Sequence, residues 1–328
     1  MESFWKDLQR PFFVLAPMAD VTDPAYRKVI AKFGRADVMW TEFVSADGLY
    51  HTREMKKMLD AENPLMRDLI FDTSEHPIVA QIFSSKPEMI RYAAKLAGEL
   101  GFDGVDINMG CPDKAIERQG CGAGMIKQPE LVPDIVEAAR QGIADAGRSD
   151  MGVSVKTRIG YNHEEIDTWI RTVLMTRPDA LTVHLRTRKE MSKVPAHWEL
   201  MPKVVALRDE VSPGTRILGN GDVASIEDAR NKVAASGADG IMLGRAIFGN
   251  PWVFTGHEAS SKEKLEALLL LSEEFSKMRP AKSFHLLKKH VKAFVTGYDN
   301  AAELRTKLMD AKDVEELQSH IQVALQNL

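Results

Sequence analysis

Residues 104–110 read GVDINMG, a short and mainly apolar run that ends in polar and glycine-containing sequence. The continuous aliphatic character of such a run is typical of a strand that is buried on both faces of a parallel sheet. Seven further runs of the same type occur on either side of it: Pro11–Met18, Val38–Val44, Pro77–Phe83, Gly152–Ile159, Ala180–Arg186, Arg216–Asp222 and Gly240–Ala246. The sequence therefore predicts a set of parallel strands.

Segments with the apolar spacing of helices lie between these runs. The clearest of them are Glu88–Leu100, Pro129–Ala146, Glu164–Thr176 and Ile226–Ala235. Repeated alternation of strand and helix indicates a parallel α/β protein. A doubly wound open sheet is the alternative, but no G-x-G-x-x-G sequence follows the first strand. We therefore predict a closed (β/α)₈ barrel, the TIM-barrel fold.

The pattern changes at about Ser260, after which glycines and strand-like runs almost vanish. Helical spacing then continues through Lys262–Met278, Ala281–Thr296, Ala301–Leu308 and Val314–Leu325. We predict a barrel domain over residues 1–259 and a small helical domain over residues 260–328.

Composition limits the type of protein and its partners. The 328 residues are 44% apolar and 27% charged, which is ordinary for a globular protein. A formal charge of −4 means that a nucleic acid would have to meet a local basic patch. We expect neither a membrane span nor a secretory signal. The two cysteines are too few for a metal cage or a disulfide framework and indicate free thiols in the cytoplasm, with the mitochondrion as the alternative.

Polar groups follow nearly every predicted strand. In a barrel of this type, the residues that end the strands face the active site. Amide, cationic and imidazole groups in such number need hydrogen-bonding partners, and a large polar ligand would supply them. The residues are Ala16-Pro17-Met18, Thr41-Glu42, Gln81, Asn108–Pro112, Lys156–Arg158, His184, Asn220–Asp222 and Gly244-Arg245.

The ends of the seventh and eighth strands indicate a phosphate site, which recurs at this position of the fold. Gly219–Asp222 and Gly244-Arg245 combine glycines with an arginine. Glycine lets backbone N–H groups approach an anion closely, and an arginine can grip it. Two tight turns without a ligand are the alternative.

Lys156 and Cys111 are the candidate reactive groups. Lys156, at the end of the fifth strand, points into the predicted barrel mouth, where a flavin ring would supply a counter-charge; a Schiff-base lysine is the alternative. Cys111 lies in a rigid Gly-Cys-Pro turn. Its thiol can act as an acid, or as a nucleophile if its pKa is lowered. The glycine-rich residues 120–124 around Cys121 predict a mobile lid.

The strand-end motifs resemble those of the tRNA-dihydrouridine synthase family. The resemblance covers nearly the whole chain in order, and the Asn-x-Gly-Cys-Pro element at residues 108–112 is its most specific part. Its other parts are Leu15–Asp23, Asp106-Ile107, Val155–Arg158, His184–Arg188, Gly219–Asp222, Gly244-Arg245, Asn250–Trp252, Lys288–His290 and Ala301–Arg305.

The resemblance implies that NADPH reduces FMN, that the flavin N5 passes a hydride to C6 of a uracil ring in tRNA, and that Cys111 protonates C5. Asn108, Arg158 and Arg186 would lie beside the uracil. We expect a monomer without a metal or a membrane attachment. The implied FMN-binding residues are Pro17, Met18, Ala19, Gln81, Lys156, His184, Asn220, Gly221, Asp222, Gly244 and Arg245.

The helical tail is the predicted RNA-binding part. Between residues 277 and 307, eight basic side chains face only Asp299 and Glu303, a net charge of +6 in an acidic protein. Binding there would offset the cost of swinging a uridine out of its stack. A solvated helix face is the alternative. The predicted contacts are Lys288, Lys289 and Arg305.

Two features depart from the family pattern. Leu185 stands where a small residue usually follows the histidine, and Met191–Trp198 lacks the usual aromatic–glycine pattern. These departures leave open an RNA other than tRNA as substrate. Two further alternatives are an FMN oxidoreductase acting on a small molecule, of the dihydroorotate- or enone-reductase type, and an RNA-binding protein without catalysis.

Overall fold

Parallel strands form the centre of the structure, a computed structural model that describes residues 3–297 and 300–327. The strands pair side by side in the order β1-β8-β7-β6-β5-β4-β3-β2. Their bounds are β1 (Phe12–Leu15), β2 (Met39–Ser45), β3 (Ile78–Phe83), β4 (Gly104–Met109), β5 (Gly152–Arg158), β6 (Ala180–His184), β7 (Arg216–Asn220) and β8 (Gly240–Leu243).

The two ends of this sheet meet between β1 and the residues just before β2. Val14 and Val38 form a parallel bridge. The Leu15 N–H donates to the Val38 carbonyl at 3.1 Å, and the Asp37 N–H donates to the Phe13 carbonyl at 2.9 Å. The sheet therefore closes on itself, and the predicted (β/α)₈ fold is confirmed.

Helices connect the strands and cover the outside of the barrel. Two predicted helices begin irregularly: a 3₁₀ turn, Pro129–Leu131, precedes α6, and a π-helical turn, Ile166–Ile170, precedes α7. No helix within residues 3–297 and 300–327 is long and apolar enough to cross a bilayer. The bounds are α1 (Pro24–Gly34), α2 (Ala46–Tyr50), α3 (Pro64–Asp68), α4 (Pro87–Leu100), α5 (Lys114–Glu117), α6 (Val132–Asp145), α7 (Arg171–Met175), α8 (Met201–Val211), α9 (Ile226–Ser236), α10 (Ser261–Lys277), α11 (Phe284–Phe294), α12 (Ala301–Asp310) and α13 (Val314–Gln326).

Aromatic side chains fill the barrel at the starts of its strands. Trp5 is buried, and its ring centroid lies 5.7 Å from that of Trp40 and 6.1 Å from that of Phe12. Gly152, the first residue of β5, leaves room for this plug, because a Cβ there would lie 2.5 Å from Trp5 Cδ1. The N-terminal face of the barrel is therefore closed, and the polar C-terminal ends of the strands form the open face.

Helices α10 and α11 pack on the barrel beside α1, and α12 and α13 pack on these two helices. Ser260 caps α10 through a capping box with Glu263. Between α10 and α11, the Lys282 side chain is only 4% exposed and pairs with Glu42 of β2 and, at 3.4 Å, with Asp68. Helix α10 thus begins beside the predicted boundary, whereas the division into two independent domains stays a prediction.

Candidate active site

Two cavities lie side by side at the C-terminal ends of the strands. The larger, of about 580 Å³, is bordered by the ends of β1 and of β5 to β8. The smaller, of about 170 Å³, contains Cys111. Pro17, Lys156 and His184 line both cavities, so the two form one continuous site.

Most of the residues predicted from the strand ends line this site. Ala19 is exposed and lines neither cavity, so its contact with a cofactor stays a prediction. Phe43, Ser192 and Met242 also line the cavities and were missed, because a lone apolar or hydroxyl residue carries no sequence signal of a site. The predicted residues in the larger cavity are Pro17, Met18, Lys156, His184, Arg186, Asn220, Gly221, Asp222, Gly244 and Arg245. Those in the smaller cavity are Gln81, Asn108, Cys111 and Arg158, again with Pro17, Lys156 and His184.

The turn after β7 has the backbone shape that the phosphate interpretation requires. Gly221 has a φ of +122°, a conformation that side chains rarely allow. The Trp198 indole N–H donates to the Gly221 carbonyl at 2.8 Å. Gly219 makes room for this ring, because a Cβ there would lie 2.6 Å from Trp198. The indole therefore holds a glycine turn whose backbone is open to a ligand.

Asp222 is the centre of an ion-pair network beside this turn. Its carboxylate accepts hydrogen bonds from Arg186, from Arg245 and from the Ala196 N–H, the last at 2.9 Å. The hydrogen bond from Arg186 keeps the pKa of Asp222 below its ordinary value. An ionised carboxylate would repel a phosphate. Asp222 therefore orients Arg245, which is 66% exposed at its side chain, instead of contacting an anion through its own carboxylate.

Arg186 lies beside Asp222, and its position beside a uracil stays a prediction. It lines the larger cavity and not the one that contains Cys111. Its Nε donates to the Val194 carbonyl at 2.6 Å, and its Nη1 lies 3.0 Å from His184 Nε2. Arg186 therefore holds the loop that follows β6, and this loop borders the cavity through Ser192.

Two cations line the smaller cavity: Arg158 is buried, and Lys156 is half-buried and lines the larger cavity as well. Burial lowers the pKa of Lys156 to about 8 and that of Arg158 to about 10. Neither forms an ion pair with a carboxylate in the part of the chain that the structure describes; Lys156 Nζ lies 3.4 Å from Asn220 Oδ1. Burial also lowers the pKa of His184 well below its ordinary value, so this imidazole is neutral. Buried, unpaired positive charge is costly, and an anionic ligand would stabilise it.

Arg158 also ties the cysteine turn to the loop after β6. Its Nε donates to the Gly110 carbonyl at 2.8 Å, and its Nη1 donates to the carbonyls of Thr187 at 3.2 Å and Met191 at 2.9 Å. The guanidinium lines the smaller cavity next to Cys111. It is therefore fixed in position beside the thiol.

Cys111 is half-buried, and hydrogen bonds of its backbone N–H and carbonyl hold it in position. Its N–H donates to Asn108 Oδ1 at 2.9 Å, and its carbonyl accepts from the Ala123 N–H at 2.9 Å. Burial raises the pKa of the Cys111 thiol above its ordinary value. The thiol is therefore protonated at neutral pH, which fits an acid and not a thiolate nucleophile.

The glycine-rich segment around Cys121 is not a mobile lid, contrary to the prediction. Both cysteines are free thiols, and Cys121 is 2% exposed. The following 3₁₀ helix, Gly122–Lys127, is buried through Ile126. A Cβ on Gly122 would lie 2.7 Å from the Cys111 carbonyl oxygen, so this segment forms the floor under the cysteine turn.

Within residues 3–297 and 300–327, no group of three or more His, Cys, Asp or Glu side chains is arranged to hold a metal ion.

Comparison with known proteins tests the family resemblance. Residues 14–328 match the model of the family described as dihydrouridine synthase. The chain belongs to this family. The predicted family and class of enzyme are thereby confirmed, and the dihydrouridine synthase match includes both the barrel and the tail helices.

Two relatives are similar in sequence to this chain over nearly their full length. A probable tRNA-dihydrouridine synthase 2 of Bacillus subtilis is 41% identical over 324 residues, which are 97% of this chain and 95% of the relative. A probable tRNA-dihydrouridine synthase of Staphylococcus epidermidis is 40% identical over 321 residues, 96% of this chain and 94% of the relative.

A solved structure supports the fold alone. Histamine dehydrogenase from Rhizobium sp. 4-9 superposes with a TM-score of 0.52 at 12% identity, over 80% of this chain and 48% of that structure. The synthase chain therefore spans about half the length of this larger protein.

Proposed function

We propose that the protein reduces uridine in tRNA to 5,6-dihydrouridine, with FMN as cofactor and NADPH as reductant. The observation that carries the proposal is the position of the Cys111 thiol, whose pKa is raised by burial, in the same small cavity as Lys156 and Arg158, which form no ion pair with a carboxylate of the described residues. The names of the relatives support tRNA as the substrate. The two free thiols fit a cytoplasmic enzyme.

The residues of the site fit FMN at both of its ends. The glycine turn after β7 and Gly244-Arg245 suit a phosphate, with Arg245 oriented by Asp222. Lys156 suits the ring, because a nearby cation stabilises a reduced flavin. When bound, FMN would supply the hydride that reduces C6 of the uracil. Pro17, Met18, Gln81, His184 and Asn220 line the space between.

Cys111 would complete the reduction by giving its proton to C5 of the uracil. The Gly-Cys-Pro turn and the bond from the Cys111 N–H to Asn108 fix where the thiol points. Arg158 and Asn108 line the same small cavity and would contact the uracil. The cavity of about 170 Å³ is large enough for a single ring.

The protonation state of Cys111 sets an expected pH dependence. An acid must hold its proton, and burial raises the pKa of this thiol above its ordinary value of about 8.5. We expect dihydrouridine formation at saturating tRNA to be constant through neutral pH and to fall only at alkaline pH. Lys156, whose pKa is about 8, also loses its proton at alkaline pH. Flavin reduction by NADPH, measured separately, is the control that reports the effect of Lys156. A rate that rises through neutral pH would contradict the acid role.

The direct test of the proposed function is a reaction of the purified protein with NADPH and an unmodified tRNA transcript. We expect mass spectrometry of the released nucleosides to detect dihydrouridine. Orotate and a simple enone serve as competing small substrates. Reduction of one of these, with the RNA unchanged, would favour the small-molecule alternative.

The tail offers less free positive charge than its sequence predicts. Lys282 is buried against Glu42 and is not an RNA contact. Lys277 pairs with Glu274 at 2.7 Å, and Lys289 lies 3.6 Å from Asp20. Asp299, which belongs to the same charge count, lies outside the described residues.

Two of the predicted tail contacts also have partners within the fold. Lys288 donates to the Met309 carbonyl at 2.7 Å, and Arg305 donates to the Val295 carbonyl at 2.8 Å. Carbonyl partners leave the positive charge of both side chains uncompensated. RNA contact by Lys288, Lys289 and Arg305 therefore stays part of the proposal.

A second group of cations lies across the mouth from the tail. We call it the rim cluster, and its members are exposed and form no ion pair with a carboxylate in the described chain. The Arg188–Glu117 pair, at 2.6 Å, joins the loops after β4 and β6 that carry the cluster. Lys127 Nζ lies 3.9 Å from the centroid of the Tyr161 ring between them. The rim cluster consists of Lys114, Arg118, Lys127, Lys189 and Lys193.

We expect charge reversal on either side of the mouth to weaken tRNA binding. Lys127→Glu with Lys189→Glu on the rim, or Lys288→Glu with Lys289→Glu on the tail, should lower the affinity and reduce the slope of log affinity against log salt by roughly 2. At saturating tRNA the turnover should remain, because neither pair lines the cavities.

The matched control is Lys32→Glu with Lys95→Glu, which makes the same charge change near the C-terminal ends of α1 and α4, away from the mouth. Filter binding at several salt concentrations measures the effect. Equal affinities of the rim double variant and this control would reject the rim cluster, and equal affinities of the tail double variant and the control would reject the tail.

A further inference from the structure

A chain of buried hydrogen bonds runs from the barrel interior to the turn that carries Cys111. Asp106 Oδ2 accepts from Gln81 Nε2 at 2.6 Å, and Gln81 Oε1 accepts from Asn108 Nδ2 at 3.0 Å. Asn108 Oδ1 then accepts from the N–H groups of Gly110 at 3.1 Å and Cys111 at 2.9 Å. Asp106 and Gln81 are 0% exposed, so water does not compete for these bonds.

Strand register builds the inner end of this chain. Gln81 of β3 is the cross-strand partner of Asp106 of β4, and Asp106 is the partner of Ser154 of β5. The Ser154 hydroxyl donates to Asp106 Oδ1 at 2.6 Å. Asp106 lines neither cavity, so it touches neither the substrate nor the cofactor space.

The groups at the two ends of this chain of hydrogen bonds allow only one direction of donation along it. Burial raises the pKa of Asp106 to about 6, so its carboxylate is still ionised at neutral pH and can only accept. The backbone N–H groups of Gly110 and Cys111 can only donate. The amides of Gln81 and Asn108 must therefore both turn their nitrogens towards Asp106 and their oxygens towards Cys111.

We propose that Asp106 is a positioning residue, whose carboxylate sets the direction of this chain and so keeps the Asn108 oxygen on the Cys111 N–H. The inference rests on the proposed role of Cys111 as the proton donor. Its consequence is that Asp106 and Asn108, which are joined only through Gln81, depend on each other.

Moving the carboxylate from one end of the chain to the other tests this dependence. In Asn108→Asp the new carboxylate still accepts from the Cys111 N–H, but it can no longer donate to Gln81. The Gln81 nitrogen must then turn towards it, which places the Gln81 oxygen against the Asp106 carboxylate. In the double variant with Asp106→Asn, the new amide donates to that oxygen, so both bonds of Gln81 are made again in the opposite direction. The N–H groups of Gly110 and Cys111 still donate to the side chain at position 108, and the net charge is unchanged. The Ser154 hydroxyl keeps an acceptor.

The measurement is the single-turnover rate of dihydrouridine formation by pre-reduced enzyme at pH about 8, where carboxylates are ionised. We expect Asn108→Asp to lose roughly 100-fold, as for a conflict at a buried charged hydrogen bond, and the double variant to react about tenfold faster than Asn108→Asp. The remaining loss is expected because Asn108 would also contact the uracil. Asp106→Asn alone should fall less than Asn108→Asp, because its amide can turn its nitrogen to Ser154.

Alkylation of Cys111 gives a readout that does not depend on turnover. In a Cys121→Ala background, we expect Asn108→Asp to change the rate of reaction with iodoacetamide several-fold and the double variant to restore it. A double variant that is as impaired as Asn108→Asp, or an Asn108→Asp protein that behaves like the unchanged one, would overturn the inference. Failure of the unchanged protein to form dihydrouridine would instead reject the proposed function, and the positioning role with it.

Discussion

Cys111→Ala is expected to keep its bound flavin and to lose roughly 100- to 10,000-fold in the rate of dihydrouridine formation. The alanine removes the one thiol among the residues that line the small cavity, and Lys156, the other acid there, would be paired with the flavin ring instead of facing C5 of the uracil. Flavin binding should survive because the phosphate turn lies at the other end of the site. Single-turnover reaction of the pre-reduced protein with tRNA measures the loss.

Cys121→Ala is the matched control for this substitution. Cys121 is a free thiol like Cys111, but it is buried beneath the cysteine turn and lines neither cavity. We expect the Cys121 variant to react within a few-fold of the unchanged protein. Equal rates for Cys111→Ala and the unchanged protein would remove Cys111 from its role as proton donor.

Gly122→Ala is expected to lower dihydrouridine formation roughly 100-fold with flavin still bound, because a displacement of about 1 Å at a reacting group has effects of this size. A Cβ at this position would lie 2.7 Å from the Cys111 carbonyl oxygen and 3.2 Å from Cys111 Cβ. Gly122 also has a φ of +57°, so the segment has no relaxed way to accept alanine. The cysteine turn must move.

Gly147→Ala is the control that introduces the same kind of backbone strain without displacing a neighbouring segment. Gly147 has a φ of +71°, yet a Cβ there would meet nothing within 4 Å. We expect Gly147→Ala to reduce stability by about 1 kcal/mol and to leave the reaction rate unchanged. If both glycine variants reacted at the same rate, the floor under Cys111 would have no part in positioning it.

The barrel could be predicted from sequence because its strands are buried on both faces. Such strands are continuous apolar runs, and each ends where the chain reaches the polar C-terminal face. The ends of the seventh and eighth runs therefore placed Gly221 and Arg245 in one cavity. Helices α6 and α7 begin with 3₁₀ and π turns, which the apolar spacing does not distinguish from an α-helix.

The residues that hold the site residues in place through hydrogen bonds could not be predicted in the same way. The link between Gln81, Asp106 and Ser154 depends on the register of three strands, which the sequence does not state. A charged residue inside the apolar fourth run was the available signal for Asp106. Arg186 shows the same limit, because its partners Val194 and Asp222 become neighbours only through tertiary folding.

The charge count of the tail includes a lysine that does not reach solvent, for a related reason. A basic run along the sequence predicts a basic face only if its members point to solvent. Lys282 instead enters the interface with the barrel and pairs with Glu42, whereas the rim cluster joins cations from loops that are far apart in sequence. Local charge patterns do not contain this information.

The proposed function depends most on flavin binding at the open face of the barrel, and the absorption spectrum of the purified protein tests this binding most directly. We expect a yellow protein whose cofactor, released by denaturation and identified by mass spectrometry, is FMN, and whose colour is bleached by NADPH. A folded protein that is colourless as purified and does not take up added FMN would contradict the account.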